Sequence, residues 1–587
     1  MRGLWPFGRK RVSTETRGGS LPPVVEAAPA DVSSLLRVES DEGRALAEAR
    51  RRLSIMGFFL AVAFCILSVR AVELAITGED GSGAQAQIAE GPGPRGDLYD
   101  RTGQVLATTL ETPSLWADPS QIWDAAETAE ALATVLPNVD VEALTRRLSA
   151  RGRFVWVRRN LTPRQRQAVF GLGMPGLYFQ DEPRRVYPRG RLASHVVGYT
   201  DRDLAGLAGA ERAFDAALSH GDGRPVALSI DMGVQFHMDE VLRATMAEFE
   251  ADAAVGVVMN VRTGEIVGMV SLPDYDPNRP MDTSQNGRTN RAAAARYEMG
   301  STFKAFTVAM ALEHGTATLE SGYDATQPLR IGGHVIHDYH AQSRWLTMSE
   351  IFTHSSNIGT SRIALEAGRE VQEDWLRQLR LLEAAPVELV ESASPILPSN
   401  WGPTETATIS YGHGIAVSPI ATIAAFAAIA NDGVYVPPTF QPVAFGESIA
   451  GSRVMSSQTA SDVMQLMRDN VMDGTGRNAA APGYCVAGKT GTAEKPGRGG
   501  YDRNRLISSF SAVFPADDPQ YAVLVLVDEP HGNESTYGYA TGGWTAAPAT
   551  GEIIRRIAPI LGVGRCEVDQ TGRAEMIRAA LMPEFEE

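Results

Sequence analysis

The chain has 587 residues, of which 44% are apolar and 21% charged, a composition typical of a globular protein long enough for two or three domains. Its formal net charge of −16 argues against a nucleic-acid partner, because phosphate binding needs a dense basic surface. The three cysteines, Cys65, Cys485 and Cys566, cannot form a disulfide framework and fit no zinc-knuckle spacing, so we expect neither a structural metal nor a cofactor.

An apolar segment near the N-terminus predicts a membrane anchor. The sequence LSIMGFFLAVAFCILSV carries no charge, and a helix over residues 53–76 is long enough to cross ~30 Å of hydrocarbon. Arginines precede this segment and acidic residues follow it, so residues 1–52, which we interpret as a disordered tail, are expected in the cytoplasm and the remainder outside. A cleaved signal peptide is the alternative, but no clean small-x-small cleavage site follows the segment.

The chain after the anchor divides by composition. Residues 77–94 are rich in Gly, Pro, Ala and Gln, which is typical of a linker. Residues 95–224 predict a mixed α/β region, with strand-like runs such as FVWVRR and helical patterns such as RQRQAVFGL, and show no polar cluster that suggests a reaction. Residues 225–563 alternate long apolar strands with strong helices, and residues 564–587 are interpreted as a C-terminal tail.

The region 225–563 predicts an antiparallel sheet. Residues 255–261 and 265–270 flank Arg262, Thr263 and Gly264 as a β-hairpin. Three more strands are predicted over residues 484–492, 506–514 and 521–527. All five suit one antiparallel sheet covered by helices, so the expected fold class is α+β.

The first chemical motif joins a serine to a lysine. Only four lysines occur in a chain with 54 Lys and Arg residues, and two of them, Lys304 and Lys489, lie in motifs. Lysine can lose its proton and arginine cannot, so these positions suit a switchable amine, although codon bias toward arginine is the alternative. Ser301 begins the helical run STFKAFTVAMALEHG, and Lys304 lies one turn later on the same face. We expect Lys304 to take the serine proton if burial and a nearby cation lower its pKa.

Two further motifs follow along the chain. Ser355, Ser356 and Asn357 lie in a tight turn between two helical runs, where a hydroxyl and an amide can relay a proton; an ordinary helix cap is the alternative. The run Lys489 to Thr492 lies in a predicted strand. Its Gly491 is expected to leave room for a substrate backbone along the strand edge, and its other three side chains offer a charge and hydroxyls to a carboxylate. The N–H groups of Ser301 and Thr492 are candidate oxyanion donors.

The three motifs in this order are typical of penicillin-binding proteins and serine β-lactamases. The stretches RGDLYDRTG, which begins at Arg95, RRVYPRGRLASHVVGYTD, and GLAGAERAFDAAL, which contains Glu211, resemble the non-catalytic pedestal of class B penicillin-binding proteins. The likeness covers roughly residues 45–562. SYGHGIAVSPI, GKTGTAEK and the strand that ends at Asp528 resemble the division-specific septal transpeptidases more than the elongation-specific ones.

This resemblance implies a single-pass inner-membrane enzyme, with its catalytic domain in the periplasm, that cross-links peptidoglycan at the division site. Its substrate would be a stem peptide ending in D-Ala-D-Ala, β-lactams would acylate the same serine, and its partners would be a polytopic glycan polymerase and other division proteins. Transferred by motif, the catalytic residues are Ser301, Lys304, Ser355, Asn357 and Lys489, and the substrate-binding residues are Ser356, Thr490, Gly491 and Thr492.

Other functions fit the sequence less well. Residues 483–490 satisfy the P-loop pattern Gly-x4-Gly-Lys-Thr, and LVLVDE resembles a Walker B strand. A P-loop leads directly into a helix, however, and the following TAEKPGRGGYDRNR cannot begin one. A membrane-anchored β-lactamase needs a base for its deacylating water, and no motif supplies one. A non-catalytic division scaffold would not need the Ser301 and Lys304 pair, and an elongation-specific transpeptidase stays open as an alternative.

Overall fold

A five-stranded antiparallel sheet organises the second half of the chain in the computed structural model, which describes residues 95–219, 223–444, 446–447, 449–497 and 500–566, and a few isolated positions before residue 69. In spatial order its strands are Ala487–Gly497, Gly500–Phe514, Tyr521–Asp528, Ala253–Asn260 and Ile266–Leu272. The predicted α+β fold class and the antiparallel sheet are confirmed. We call Ala487–Gly497, which has a neighbour on one side only, the edge strand.

Both faces of the sheet are buried, which explains why its central strands are continuously apolar. Val255 and Val257 face one hydrophobic core, whereas Ala254 and Val258 face the other. The first core includes the wholly buried helix Pro419–Ala430, and the second is covered by the helices Met232–Glu248 and Ala546–Ile557. The domain therefore has three layers, with helices on both sides of the sheet.

The structure changes the predicted bounds of two strands by three residues or more, and those of the other three by one or two residues. The edge strand begins at Ala487, three residues later than predicted, and it continues to Gly497 instead of ending at residue 492. Its neighbour begins at Gly500 instead of residue 506. The polar stretch after Thr492 is thus a long β-hairpin, stabilised where Lys495 forms ion pairs with Asp528 and Glu529. It contains no helix, so the structure gives no support to a P-loop.

Helices and short strands surround this sheet. The helices are Met232–Glu248, Gln285–Arg288, Phe303–Glu313, Met348–Thr353, Asn357–Ala367, Arg369–Gln378, Pro403–Ile409, Pro419–Ala430, Ser457–Met472 and Ala546–Ile557. The short strand pairs are Gly322–Asp324 with Trp345–Thr347, Leu329–Ile331 with His334–Ile336, and Val434–Tyr435 with Ser452–Arg453. Single 3-10 turns span Pro280–Asp282, Gly300–Thr302, Arg477–Ala479 and Glu534–Thr536.

The region before residue 225, which we call the pedestal, supplies four strands of a second sheet, and the fifth strand follows it directly. The strands of this sheet are Leu98–Tyr99, Val105–Ala117, Val155–Arg158, Leu177–Val186 and Val226–Ala227. A second pair joins Tyr199–Thr200 to Gly206–Ala208. The helical elements are Pro119–Gln121 (3-10), Ala125–Val135, Val141–Leu148, Pro163–Gly171, Ser194–Val197, Gly209–Ala213 and Asp215–Ser219. The predicted strand FVWVRR and helix RQRQAVFGL are both present.

A buried cluster of charges holds the pedestal together. Glu211, which is fully buried, accepts hydrogen bonds from Nε of Arg95 and from Nε of Arg185, each at 2.7 Å. Arg95 also donates to the carboxylate of Asp215 at 2.8 Å. Arg95, Arg185 and Glu211 each belong to one of the three sequence stretches that resemble the class B pedestal, so the structure gives those stretches a common physical role.

A disulfide, which the sequence analysis missed, ties the C-terminal segment to the edge strand. Cys485 precedes that strand and is bonded to Cys566, with a Cα–Cα distance of 5.5 Å and a sequence separation of 81 residues. The backbone N–H of Cys566 also donates to the carbonyl of Gly483 at 3.0 Å. The prediction that three cysteines form no disulfide framework did not consider a single bridge between two of them. Cys485 and Cys566 are so far apart in the sequence that no local motif indicates their pairing.

We expect Cys566→Ser to lower the free energy of unfolding by about 2–4 kcal/mol, because the bridge restricts the unfolded chain over a long loop. Chemical denaturation of the oxidised protein, the reduced protein and the variant measures this effect. Cys65→Ser is the matched control, since Cys65 is exposed and unpaired. Equal stability of the oxidised and reduced wild-type protein would contradict the expectation.

The predicted membrane anchor precedes the part of the chain that the structure describes continuously. The chain divides into two compact units, residues 1–81 and 82–587. Within the described part of the chain, no helix combines the length and the apolar character that a membrane span requires. The predicted span over residues 53–76 lies almost wholly outside the described residues, and the predicted tail 1–52 and linker 77–94 lie outside them altogether, as does most of the predicted C-terminal tail.

Candidate active site

The structure brings the three predicted motifs together at the edge strand. Ser301 lies in the 3-10 turn Gly300–Thr302, which leads directly into the helix Phe303–Glu313. We call Gly300–Thr302 the serine turn. Ser355 and Asn357 lie where the helix Met348–Thr353 ends and the helix Asn357–Ala367 begins. Lys489 lies in the edge strand itself. Both helical runs predicted around the second motif are confirmed.

Two glycines allow the serine turn to pack against the edge strand. A Cβ on Gly300, whose φ is +53°, would lie 2.4 Å from the carbonyl oxygen of Thr492. A Cβ on Gly491 would lie 2.5 Å from the carbonyl oxygen of Met299 and 2.7 Å from the hydroxyl of Thr302. Gly491 therefore makes room for the serine turn, and its predicted role of making room for a substrate backbone stays a prediction.

Lys304 is fully buried, and its amine contacts the second motif. Nζ lies 2.5 Å from the carbonyl oxygen of Ser355, 3.0 Å from its Oγ, and 2.8 Å from Oδ1 of Asn357. Among the described residues, none forms a hydrogen bond with the Ser301 hydroxyl. The prediction placed the amine of Lys304 beside the Ser301 hydroxyl, whereas its hydrogen bonds are to Ser355 and Asn357. Catalytic hydrogen bonds are often long or poorly aligned before substrate binds, so this geometry is compatible with proton transfer.

Ser355 lies between two lysines. Its backbone has a φ of +58°, which is unusual for a residue other than glycine, and its Oγ lies 3.0 Å from Nζ of Lys304 and 3.0 Å from Nζ of Lys489. Such a strained conformation is found mainly where the surrounding structure imposes it, often at functional sites. The hydroxyl of Ser355 thus connects the two buried amines.

Burial and proximity lower the pKa of both lysines. Burial, and then the charge of Lys489, hold the pKa of Lys304 well below its usual value, while Asp338 opposes the shift. Burial lowers the pKa of Lys489 to about 7. Two adjacent ammonium groups repel each other in a site that excludes water. The favoured state near neutral pH therefore has an uncharged Lys304 beside a Lys489 that carries most of the charge.

Ser356 acts as a helix cap, which is the alternative that the sequence left open. Its buried hydroxyl accepts a hydrogen bond from the N–H of Gly359 at 2.9 Å and donates to Asp338 at 2.7 Å. Asp338 also accepts from the N–H of Ile358 at 2.9 Å. These bonds occupy the Ser356 side chain. Sequence reasoning missed Asp338, because a single acid in a loop matches no motif.

The two threonines of the edge strand differ in their surroundings, and Nζ of Lys489 lies 3.3 Å from Oγ1 of Thr490. The side chain of Thr490 is mostly buried, and its hydroxyl lies 2.8 Å from the hydroxyl of Thr475. The half-buried Thr492 accepts a hydrogen bond from the N–H of Gly542 at 3.1 Å, which leaves its own O–H available to donate. Of the two hydroxyls, Thr492 is thus better placed to bind a ligand.

A half-buried carboxyl that precedes the serine turn was also missed by the sequence analysis. Glu298 accepts hydrogen bonds from the N–H of Gly414 and from the hydroxyl of Tyr501, each at 3.0 Å. Its second oxygen is buried and has no partner among the described residues. Burial raises the pKa of this carboxyl. Glu298 thereby connects the serine turn to the tip of the β-hairpin that contains Tyr501.

Comparison with known proteins identifies the family to which this chain belongs. A model described as "Penicillin binding protein transpeptidase domain" matches residues 254–555, and one described as "Penicillin-binding Protein dimerisation domain" matches residues 90–224. The "Probable peptidoglycan D,D-transpeptidase FtsI" of Caulobacter vibrioides is 43% identical over 556 residues, which cover 91% of this chain and 93% of the relative. The chain belongs to the penicillin-binding protein transpeptidase family.

Other relatives agree with this assignment. The "Peptidoglycan D,D-transpeptidase FtsI" of Escherichia coli strain K12 is 31% identical over 494 residues, covering 78% of this chain and 82% of the relative. A solved structure described as a peptidoglycan synthetase from Bifidobacterium adolescentis has a TM-score of 0.63 at 23% identity, covers 81% of this chain and 96% of that one, and supports the fold. Together with the dimerisation-domain match, these relatives make the chain a class B, FtsI-like penicillin-binding protein.

Proposed function

We propose that this penicillin-binding protein is a serine D,D-transpeptidase that cross-links peptidoglycan stem peptides and is acylated by β-lactams. The observation that carries the proposal is the pair of buried lysines joined through Ser355 next to the serine turn. A serine is a poor nucleophile until a neighbouring base takes its proton. An uncharged Lys304 is such a base, and it lies one helical turn from Ser301.

The reaction follows from these positions. Ser301 Oγ attacks the penultimate carbonyl of a peptide ending in D-Ala-D-Ala, and Lys304 accepts the hydroxyl proton. The O–C bond forms, the C–N bond to the terminal D-alanine breaks, and the proton reaches the leaving amine through Ser355. An amine from a neighbouring strand then attacks the ester and restores Ser301. A β-lactam amide reacts by the same first step.

The other residues of the site serve binding and proton transfer. With Lys304 uncharged, the Ser355 hydroxyl donates to its Nζ and accepts from Lys489, which is the arrangement that a proton relay needs. Asn357 orients Lys304 and the donor peptide. Lys489, Thr490 and Thr492 hold the terminal carboxylate, and the N–H groups of Ser301 and Thr492 stabilise the oxyanion.

Release of D-alanine from a pentapeptide donor tests the proposal. We expect release by the wild-type protein and none by Ser301→Ala, with the two proteins equally stable to heat. Turnover of a β-lactam without any use of peptide would favour a β-lactamase instead. Release that persists in Ser301→Ala would refute the proposed nucleophile.

The lowered pKa values of Lys304 and Lys489 predict that the rate of acylation depends on pH in a bell-shaped curve. The rate rises with pH as Lys304 loses its proton, because only the free amine accepts the serine proton. It falls as the pH rises above about 7, where Lys489 loses the charge that binds the carboxylate. In Lys489→Arg the cation persists at every pH used, so the alkaline decline should disappear. A wild-type rate that stays constant from about pH 6 to about pH 9 would contradict this assignment of roles.

We further propose that the chain acts at the septum, anchored by the predicted helix over residues 53–76 with the catalytic domain in the periplasm. The name FtsI of its relatives and the motifs around Ser410 and Lys489 support septal rather than elongation duty. A glycan polymerase and other division proteins would be its partners. Imaging a fluorescent fusion in dividing cells tests this, and a signal spread along the side wall would argue for elongation.

A further inference from the structure

A basic cleft lies beside the active site and has no role in the chemistry described above. It encloses about 560 Å³, and its lining residues are Gln327, Pro328, Leu329, Arg330, Val335, His337 and Arg362. Arg330 and Val335 are cross-strand partners in the hairpin formed by Leu329–Ile331 and His334–Ile336, so their side chains share one face. The opposite wall is the helix Asn357–Ala367, which carries Arg362.

The cleft carries two arginines that form no ion pair with the described residues. Within the part of the chain that the structure describes, neither Arg330 nor Arg362 forms an ion pair. Nε of Arg362 is buried and makes no hydrogen bond to a described residue. The charge of Arg362 is felt by Asp324, whose pKa is lowered by hydrogen bonds from Thr326 and by that guanidinium. No described carboxylate forms an ion pair with either arginine, and a buried unsatisfied donor is costly unless a ligand completes it.

The cleft is connected to the active site through shared residues. His337 lines the cleft, and its carbonyl oxygen accepts a hydrogen bond from Nδ2 of Asn357 at 3.0 Å. The other end of the same amide contacts Lys304. Arg362 lies five residues after Asn357 on one helix, which places the two about 7.5 Å apart along the helix axis. The cleft thus adjoins the part of the active site that contains Asn357.

We propose that this cleft is a subsite for a free carboxylate of a stem peptide, in which Arg330 and Arg362 bind the carboxylate of a residue outside the reacting D-Ala-D-Ala end. Guanidinium groups match carboxylates in geometry and charge, so they favour this ligand over a neutral amide. The proposal rests on the proposed transpeptidase function, and it adds a specificity for acidic peptides. The carboxylate can belong to the donor strand or to the acceptor strand, and the experiment separates the two.

The test compares each acidic peptide with its carboxamide, using the full-length protein. In the donor arm, kcat/KM for D-alanine release is measured for donors that differ only in one internal carboxyl or carboxamide. In the acceptor arm, a fixed donor is combined with acidic or amidated acceptor amines. We expect the wild-type protein to prefer the acid about 10-fold in one arm, as the loss of a charge-assisted hydrogen bond predicts.

Variants link this preference to the cleft. Arg330→Gln and Arg362→Gln should reduce the acid-to-amide ratio to about 1, and the ratio is insensitive to a partial loss of folded protein. Arg369→Gln is the matched control, because Arg369 is exposed and close to Glu373, and it should keep the wild-type ratio. A wild-type ratio near 1 in both arms, or an unchanged ratio in both cleft variants, would overturn the proposal. Penicillin acylation of the wild-type protein is measured in parallel, so a failure of the cleft is distinguished from a failure of the proposed function.

Discussion

Lys304→Arg is expected to slow acylation by penicillin by roughly 10²–10⁴-fold, the usual contribution of a general base. The guanidinium keeps its proton at every accessible pH, so it cannot accept one from Ser301. The larger group must also fit where Nζ now contacts Ser355 and Asn357. Labelling with a fluorescent penicillin over time measures the rate, and thermal unfolding shows whether the variant is folded.

The same substitution elsewhere provides the control. Lys495 lies farther along the edge strand and pairs with Asp528 at 2.8 Å and with Glu529 at 2.5 Å. An arginine can keep these ion pairs, so Lys495→Arg should be acylated at close to the wild-type rate. If folded Lys304→Arg were labelled within a few-fold of the wild-type rate, another group would have to be the base.

Glu211→Ala is expected to destabilise the pedestal by about 3–5 kcal/mol, because it leaves two buried guanidinium groups without their shared carboxylate. Arg95 and Arg185 each lie 2.7 Å from Glu211, and their side chains are almost completely buried. Water cannot replace the lost acceptor without opening the pedestal core. Denaturant unfolding followed by circular dichroism measures the loss in stability.

An exposed carboxylate of the pedestal provides the comparison. Glu142 lies on a helix surface 3.8 Å from Arg146, with 90% of its side chain exposed. Removing it by Glu142→Ala should change stability by about 1 kcal/mol or less. Glu211→Gln keeps the size of the side chain but not its charge, so its loss of stability should lie between those of Glu211→Ala and Glu142→Ala. A loss of stability for Glu211→Ala no larger than that for Glu142→Ala would show that the cluster contributes little.

The core strands could be predicted because burial on both faces leaves a continuous apolar run, as in Tyr521–Asp528. The long hairpin between Thr492 and Leu506 could not, since polar residues such as Asp502 and Arg505 carry no apolar periodicity. Their strand conformation depends on cross-strand partners, among them Glu529, which pairs with Arg505 at 2.6 Å. The bridge from Cys485 to Cys566 likewise depends on folding that brings distant segments together.

In the candidate site, too, local sequence predicted some features, whereas others depend on contacts between distant segments. Local motifs identified Ser301, Lys304 and Lys489, because each chemical role requires a particular residue type at a short spacing. Helical spacing predicted that Lys304 lies beside Ser301 but not the direction of its side chain, whose amine contacts Ser355. Asp338 was missed because it contacts the site only through the folded chain. Sequence spacing alone therefore predicts neither the direction of the Lys304 side chain nor the position of Asp338, because both depend on contacts between distant segments.

Mass mapping of the penicillin adduct tests the central claim most directly. Trypsin cleavage after Arg296 and Lys304 releases residues 297–304, the peptide YEMGSTFK that contains Ser301. After treatment of the full-length protein with benzylpenicillin, we expect the mass of one penicilloyl group on Ser301 in this peptide and no adduct in Ser301→Ala. An adduct on a different residue, or no adduct in a folded wild-type protein, would contradict the assignment of Ser301 as the nucleophile.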